Sequence, residues 1–139
     1  MSFKEYDSNY SFMDLELGRI LGSSRTHRFL SSLDNQIDWK RIEALLLESY
    51  PVGKSECGNR AYPPLMLMKA LLLQKWFGIK SDPELENQIN DRISFKSFIG
   101  LPLAEPAPDH SLMCRFRGRV GQEVLEKIHH ELLHQFKAR

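Results

Sequence analysis

Residues 61–101 read AYPPLMLMKALLLQKWFGIKSDPELENQINDRISFKSFIGL, and this stretch decides the fold. From Pro64 to Phe77 only Lys69, Gln74 and Lys75 are polar. At helical periodicity those three point in different directions, so the segment has no wet face. A helix that is apolar all round is either buried or in a membrane. This one falls well short of the ~20 apolar residues that cross a bilayer. The pattern therefore predicts a buried central helix. Pro63 and Pro64 suit its first turn, where a backbone N–H has no partner to lose. Gly78 suits the position just past its end.

Reading toward the C-terminus, Ser81-Asp82-Pro83-Glu84 is a helix start: a capping hydroxyl, then proline and acids in the first turn. Leu85 and Ile89 form its buried stripe, and Ile93 continues it. Ser94 to Ile99 predicts a short helix with Phe95, Phe98 and Ile99 inward, stopped by Gly100 and Pro102. Residues 103–108 form a proline-rich turn. Asp109 or Ser111 caps a helix that runs to Val120. Gly121 breaks it, and Gln122 to Lys137 is the last helix, with Val124, Leu125, Ile128, Leu132 and Phe136 on its apolar side.

Reading toward the N-terminus, residues 51–62 contain Gly53, Gly58 and Asn59 and read as a loop. Trp39 to Tyr50 is a helix capped by Asp38, with Ile42, Leu45 and Leu46 on one stripe and Pro51 as its stop. Phe29, Leu30 and Leu33 fall at helical spacing between Thr26 and Gln36. Before that, Phe12, Leu15, Ile20 and Leu21 are the only hint of an amphipathic turn. No segment alternates with period two, so no sheet is expected. The expectation is an all-α, compact multi-helix domain with a buried central helix and a helix-turn-helix-like basic helix near the C-terminus. Residues 1–34 are read as a weakly patterned arm and residues 35–139 as the helical domain.

The chain has 139 residues and a formal net charge of +1, so any nucleic-acid reading must rest on local patches rather than on the whole. Cys57 and Cys114 lie far apart and form no paired motif, which fits free thiols in a reducing compartment. The first twenty residues carry acids and no apolar core, unlike a signal peptide. The expected location is the cytoplasm, with no membrane partner.

The most chemically pointed element is Asp109-His110-Ser111-Leu112-Met113-Cys114-Arg115-Phe116-Arg117-Gly118-Arg119-Val120. Leu112, Met113, Phe116 and Val120 share one face. Opposite lie Ser111, Cys114, Arg115 and Gly118, with Arg117 and Arg119 on the flanks. No acid occurs between Asp109 and Glu123. Guanidinium forks fit phosphate oxygens and guanine edges, so the candidate DNA contacts are Arg115, Arg117, Arg119, Ser111 and His110. A second acid-free run, Gly58 to Ile79, adds Lys69 and Lys75, which must snorkel out of a buried helix to water or to phosphate. The plain alternative is a solvated basic face paired with Glu123 or Glu126.

Two motifs mimic catalytic signatures. His130-Glu131-Leu132-Leu133-His134 matches H-E-x-x-H. A zinc hydrolase needs a third ligand, Gln135 to Arg139 supply none, and no strands are predicted to build a cleft. Gly53-Lys54-Ser55 resembles the end of a phosphate-binding loop, but Glu48 stands where the first glycine belongs. No catalytic residue and no metal site are assigned.

Trp39 with the Leu45-Leu46-Leu47 run, the block from Ala61 to Gly78, Ser81 to Glu86, Asp91 to Phe95, Phe98 to Leu101, and Pro108 to Ser111 followed by Arg115-Phe116-Arg117 together carry a resemblance. In this order they resemble the N-terminal domain of bacterial insertion-sequence transposases of the InsH type, over about residues 35 to 137. The sequence departs from that pattern at Leu112-Met113-Cys114, where a threonine and a second polar residue are usual. The resemblance implies a helical region that binds the terminal repeats of the element, followed by an RNase H-like domain with an Asp-Asp-Glu triad. Any divalent metal would belong to that second domain, so no cofactor is expected here. Implied partners are DNA, the transposase catalytic domain in cis or trans, and a second copy of the chain. The resulting expectation is a truncated transposase, or an isolated N-terminal domain, that positions element ends and does not cut. A dimerisation or interaction module and a non-functional remnant are the alternatives.

Overall fold

A computed structural model describes residues 24–49 and 62–137. The run from Phe12 to Leu21, the loop read at 51–62 apart from Tyr62, and Cys57 lie outside the described residues. The described residues form seven α-helices and no strand: α1 Arg25–Gln36, α2 Trp39–Ser49, α3 Pro64–Trp76, α4 Asp82–Asp91, α5 Ile93–Ile99, α6 His110–Val120 and α7 Gln122–Lys137. The all-α expectation is met. Among the described residues no helix is long and apolar enough to cross a membrane.

Helix α3 is central, as its composition demands. Eight of its 13 residues are buried: Pro64, Met66, Leu67, Met68 and the run Ala70 to Leu73. It is packed by α2, α5 and α6, so a helix with a single apolar stripe would have buried polar side chains against some of these neighbours. Each fully buried Leu or Met contributes roughly 1.5–3 kcal/mol. Around this spine α1 packs on α5, α2 packs on α7, and α4 packs on both α5 and α6. Helix α1 crosses the expected boundary at residue 34, and its Leu30 is fully buried.

Local signals set the helix ends. Ser24 Oγ accepts from the His27 N–H at 3.3 Å and Ser81 Oγ from the Glu84 N–H at 3.2 Å. Asp38 Oδ1 accepts from the Lys40 N–H at 3.2 Å. These bonds satisfy first-turn donors that have no partner inside the helix. Gly78 and Gly100 take positive φ at helix ends, a backbone conformation that strains any residue with a Cβ even though the space beside both is open.

Helix α6 is reached through the loop 100–109 and packs most extensively on α4, with further contacts to α2, α3 and α7. Lys96 of α5 fixes that loop. Its buried Nζ donates to Leu103 O at 2.9 Å and to Glu105 O at 2.6 Å. Asn90 Oδ1 accepts from the Ala107 N–H at 2.8 Å. Lys96 went unnoticed in the sequence because a single lysine beside Phe95 reads as solvent-facing.

Candidate nucleic-acid interface

Helix α6 is anchored by Met113 and Phe116, both fully buried, and by Val120. Leu112 sits half-buried beside them. At its start Asp109 caps the helix: Oδ1 accepts from the Ser111 N–H at 2.8 Å and from Ser111 Oγ at 3.1 Å. The hydrogen bond from the Ser111 backbone, with that from its hydroxyl, lowers the Asp109 pKa. At the other end Gly121 has φ +87°, which turns the chain sharply into α7.

This anchoring leaves Ser111, Cys114, Arg115, Gly118 and Arg119 exposed on the outer face. Arg115 and Arg119 are one turn apart, about 6 Å along the axis. Neither has an ion pair among the described residues. Gly118 has no atom within 4 Å of where a Cβ would stand, so the surface between the two arginines is open.

Arg117 turns away from this face. Its Nη2 donates to Asp82 Oδ1 at 2.7 Å and to Gln74 Oε1 at 2.9 Å, and Nη1 donates to Asp82 Oδ2 at 3.2 Å. Gln74 Nε2 completes the triangle to Asp82 at 3.1 Å. The forked hydrogen bond with Arg117 lowers the Asp82 pKa, against the opposing effect of burial, and raises that of Arg117. Asp82 also stands in the first turn of α4, where a carboxylate complements the helix dipole. One guanidinium thus ties α6 to α3 and α4.

His110 is likewise engaged. Its backbone N–H and Nδ1 lie 2.7 and 2.8 Å from Glu86 Oε1, and Nδ1 lies 3.3 Å from Asp109 Oδ1. The hydrogen bond to Glu86 is the main cause of its raised pKa. The first turn of α6 therefore already faces two carboxylates, and the free positive charge lies at its middle and end.

Lys69 is 12% exposed at its side chain and pairs with Asp34 of α1 at 2.8 Å. It also donates to Phe98 O at 3.2 Å, and lies 4.6 Å from the Trp39 ring and 5.1 Å from that of Phe98. Asp34 Oδ1 accepts from Trp39 Nε1 at 2.8 Å as well. The lysine does leave the core, but toward a carboxylate on another helix. Lys75 is exposed, and its Nζ lies 3.3 Å from His129 Nε2. Burial, and then the charge of Lys75, lower the His129 pKa, which favours the neutral imidazole as acceptor.

The seven sequence-predicted contacts thus divide. Arg115 and Arg119 point to water, Lys75 is exposed but reaches His129 of α7, Ser111 and His110 sit at the capped start of α6, and Arg117 and Lys69 bridge helices. The acid-free runs were real in sequence but not in space, because Asp82, Glu86 and Asp34 arrive from other helices.

Among the described residues, Glu86, Asp109 and His110 are the group whose ligand atoms could converge on a metal, lying within 4.8 Å of one another. Two carboxylates and an imidazole do not fit an Asp-Asp-Glu triad, and their atoms already cap α6. In the H-E-x-x-H segment Glu131 turns toward Arg41 of α2, 3.5 Å away, while His130 and His134 are exposed.

No solved structure matches the chain. A family model described as a transposase domain, DUF772, matches residues 20–119. That span includes the central helix, the Gln74–Asp82–Arg117 triangle and nearly all of the arginine helix. The chain therefore belongs to the DUF772 transposase-domain family.

Proposed function

We propose that this chain is a DNA-binding region of an insertion-sequence transposase of the InsH type, which positions the element's terminal repeats for transposition without cutting them. The observation that carries this reading is the outer face of α6. Arg115 and Arg119 stand one turn apart and unpaired among the described residues, on a helix held by a fully buried Phe116. Phosphates are the natural ligands of such a face, with a guanine edge as the alternative for a guanidinium fork. The carboxylates of Asp109 and Glu86 disfavour a phosphate at the helix start, so the strand is met by the middle and end of α6. Lys75, exposed on α3 beside His129 of α7, is a further cation outside that face. Arg117, His110 and Lys69 set the pose of the helices rather than touching DNA. A second copy of the chain and the catalytic domain are the protein partners in this reading.

Fluorescence anisotropy on duplex DNA at several salt concentrations tests it. Each phosphate contact contributes about 0.9 to the slope of log affinity against log salt. Arg115→Ala with Arg119→Ala is expected to lower that slope by about 2 and to leave the circular dichroism spectrum intact. An unchanged slope would refute the assignment of α6.

A further inference from the structure

The edge where α1 meets α5 carries an aromatic ladder with one open end. Phe95 of α5 is fully buried. Phe77 packs on it with ring centres 5.0 Å apart, and Phe29 of α1 meets Phe77 edge-on at 6.5 Å. Phe29 itself is 51% exposed. A lone exposed ring is ordinary, but this one is braced from beneath by two others. At the other end the Arg92 guanidinium lies 4.8 Å from the Phe95 ring centre.

Three exposed arginines and one exposed carboxylate, Asp91, are the charges nearest this ladder in the chain, a net positive balance. Arg25 precedes Phe29 by one turn, Arg28 is its neighbour, and both are exposed, as is Arg92. None of the three has an ion pair among the described residues. Asp34, the acid on the same helix, is committed to Lys69 and Trp39. Asp91 precedes Arg92 but forms no pair with it.

We propose that this edge is a stacking platform for unpaired nucleotides. A braced aromatic face with phosphate-binding cations beside it is the chemistry that recognises single-stranded nucleic acid, whose bases offer free π faces between charges. A duplex hides those faces, and an apolar protein segment would leave three arginines unmatched. The proposal stands on residues other than those of α6 and does not depend on the reading of that helix.

The test uses the full chain with fluorescein-labelled oligothymidine and a duplex of the same length. Phe29→Leu keeps apolar volume and removes the π face. It is expected to weaken oligothymidine binding about tenfold, one stacked base being worth ~1–3 kcal/mol, and to change duplex binding less than twofold. Phe29→Trp is expected to retain binding. Arg25→Ala with Arg28→Ala is expected to reduce the single-strand salt slope by about 1.4. Absence of oligothymidine binding, or Phe29→Leu binding like the parent, overturns the platform. So does an equal loss on both ligands. An acidic peptide that competes as well as oligothymidine overturns it in favour of a protein partner. Arg115→Ala with Arg119→Ala should weaken the duplex alone, so failure of one site leaves the other standing.

Discussion

The Lys69–Asp34 pair offers a test of whether a lysine in a buried helix serves the fold or the ligand. Its ammonium is held by the Asp34 carboxylate at 2.8 Å, the Phe98 carbonyl at 3.2 Å and the Trp39 ring at 4.6 Å. Asp34→Ala strips the counter-charge from a nearly buried cation and leaves Trp39 Nε1 without its acceptor. Breaking a fully buried pair costs ~3–5 kcal/mol. Here the Asp34 side chain is 41% exposed, so water can enter the vacated site and the loss falls to about 1.5–3 kcal/mol. Lys69→Met keeps the stem packed on Trp39 and Phe98 and leaves Asp34 near water, for a cost of about 0–1 kcal/mol. Adding Lys69→Met to Asp34→Ala should therefore restore part of what Asp34→Ala lost. Urea unfolding followed by tryptophan fluorescence reads all four species, since Trp39 lies in the pair itself. A Lys69→Met loss larger than that of Asp34→Ala would refute the reasoning, because the charge would then be stabilising in its own right. DNA affinity is the second readout. It should not change in Lys69→Met, and a tenfold loss with the fold intact would return Lys69 to the binding surface.

Three further outcomes follow from the geometry. Arg117→Ala should destabilise the chain by about 1–2 kcal/mol, a figure already reduced because Arg117 is more than a third exposed; a loss of DNA affinity with no loss of stability would contradict its bridging role. His110 has a raised pKa, so the stability it gives is complete below its ordinary value near 6.5 and disappears as pH rises through the raised value. His110→Gln should flatten that alkaline-side decline in melting temperature, whereas His129, lowered by burial, acts in the opposite sense and loses its contribution as pH falls. Lys96→Met removes both donors that hold Leu103 O and Glu105 O and should cost about 1–3 kcal/mol, with faster amide exchange in the loop 100–109 as the local sign.

Much of the fold was legible because it is written in local chemistry. The all-round apolar run from Pro64 to Phe77 has no stable place except inside. Serine, aspartate and glycine mark helix ends because they satisfy or relieve nearby backbone groups. Leu112, Met113, Phe116 and Val120 had to share a face by periodicity alone, which left Cys114, Arg115 and Gly118 outward. What the sequence could not supply was the identity of partners that meet across many residues. Arg117 finds Asp82 and Gln74, His110 finds Glu86, Lys69 finds Asp34, and Lys96 finds two loop carbonyls. Each of these pairings depends on how helices pack, and an ion seeks the nearest opposite charge in space, not in the chain. Periodicity thus determined which residues lie on the outer face of α6, while tertiary packing decided which of its arginines keep their charge free.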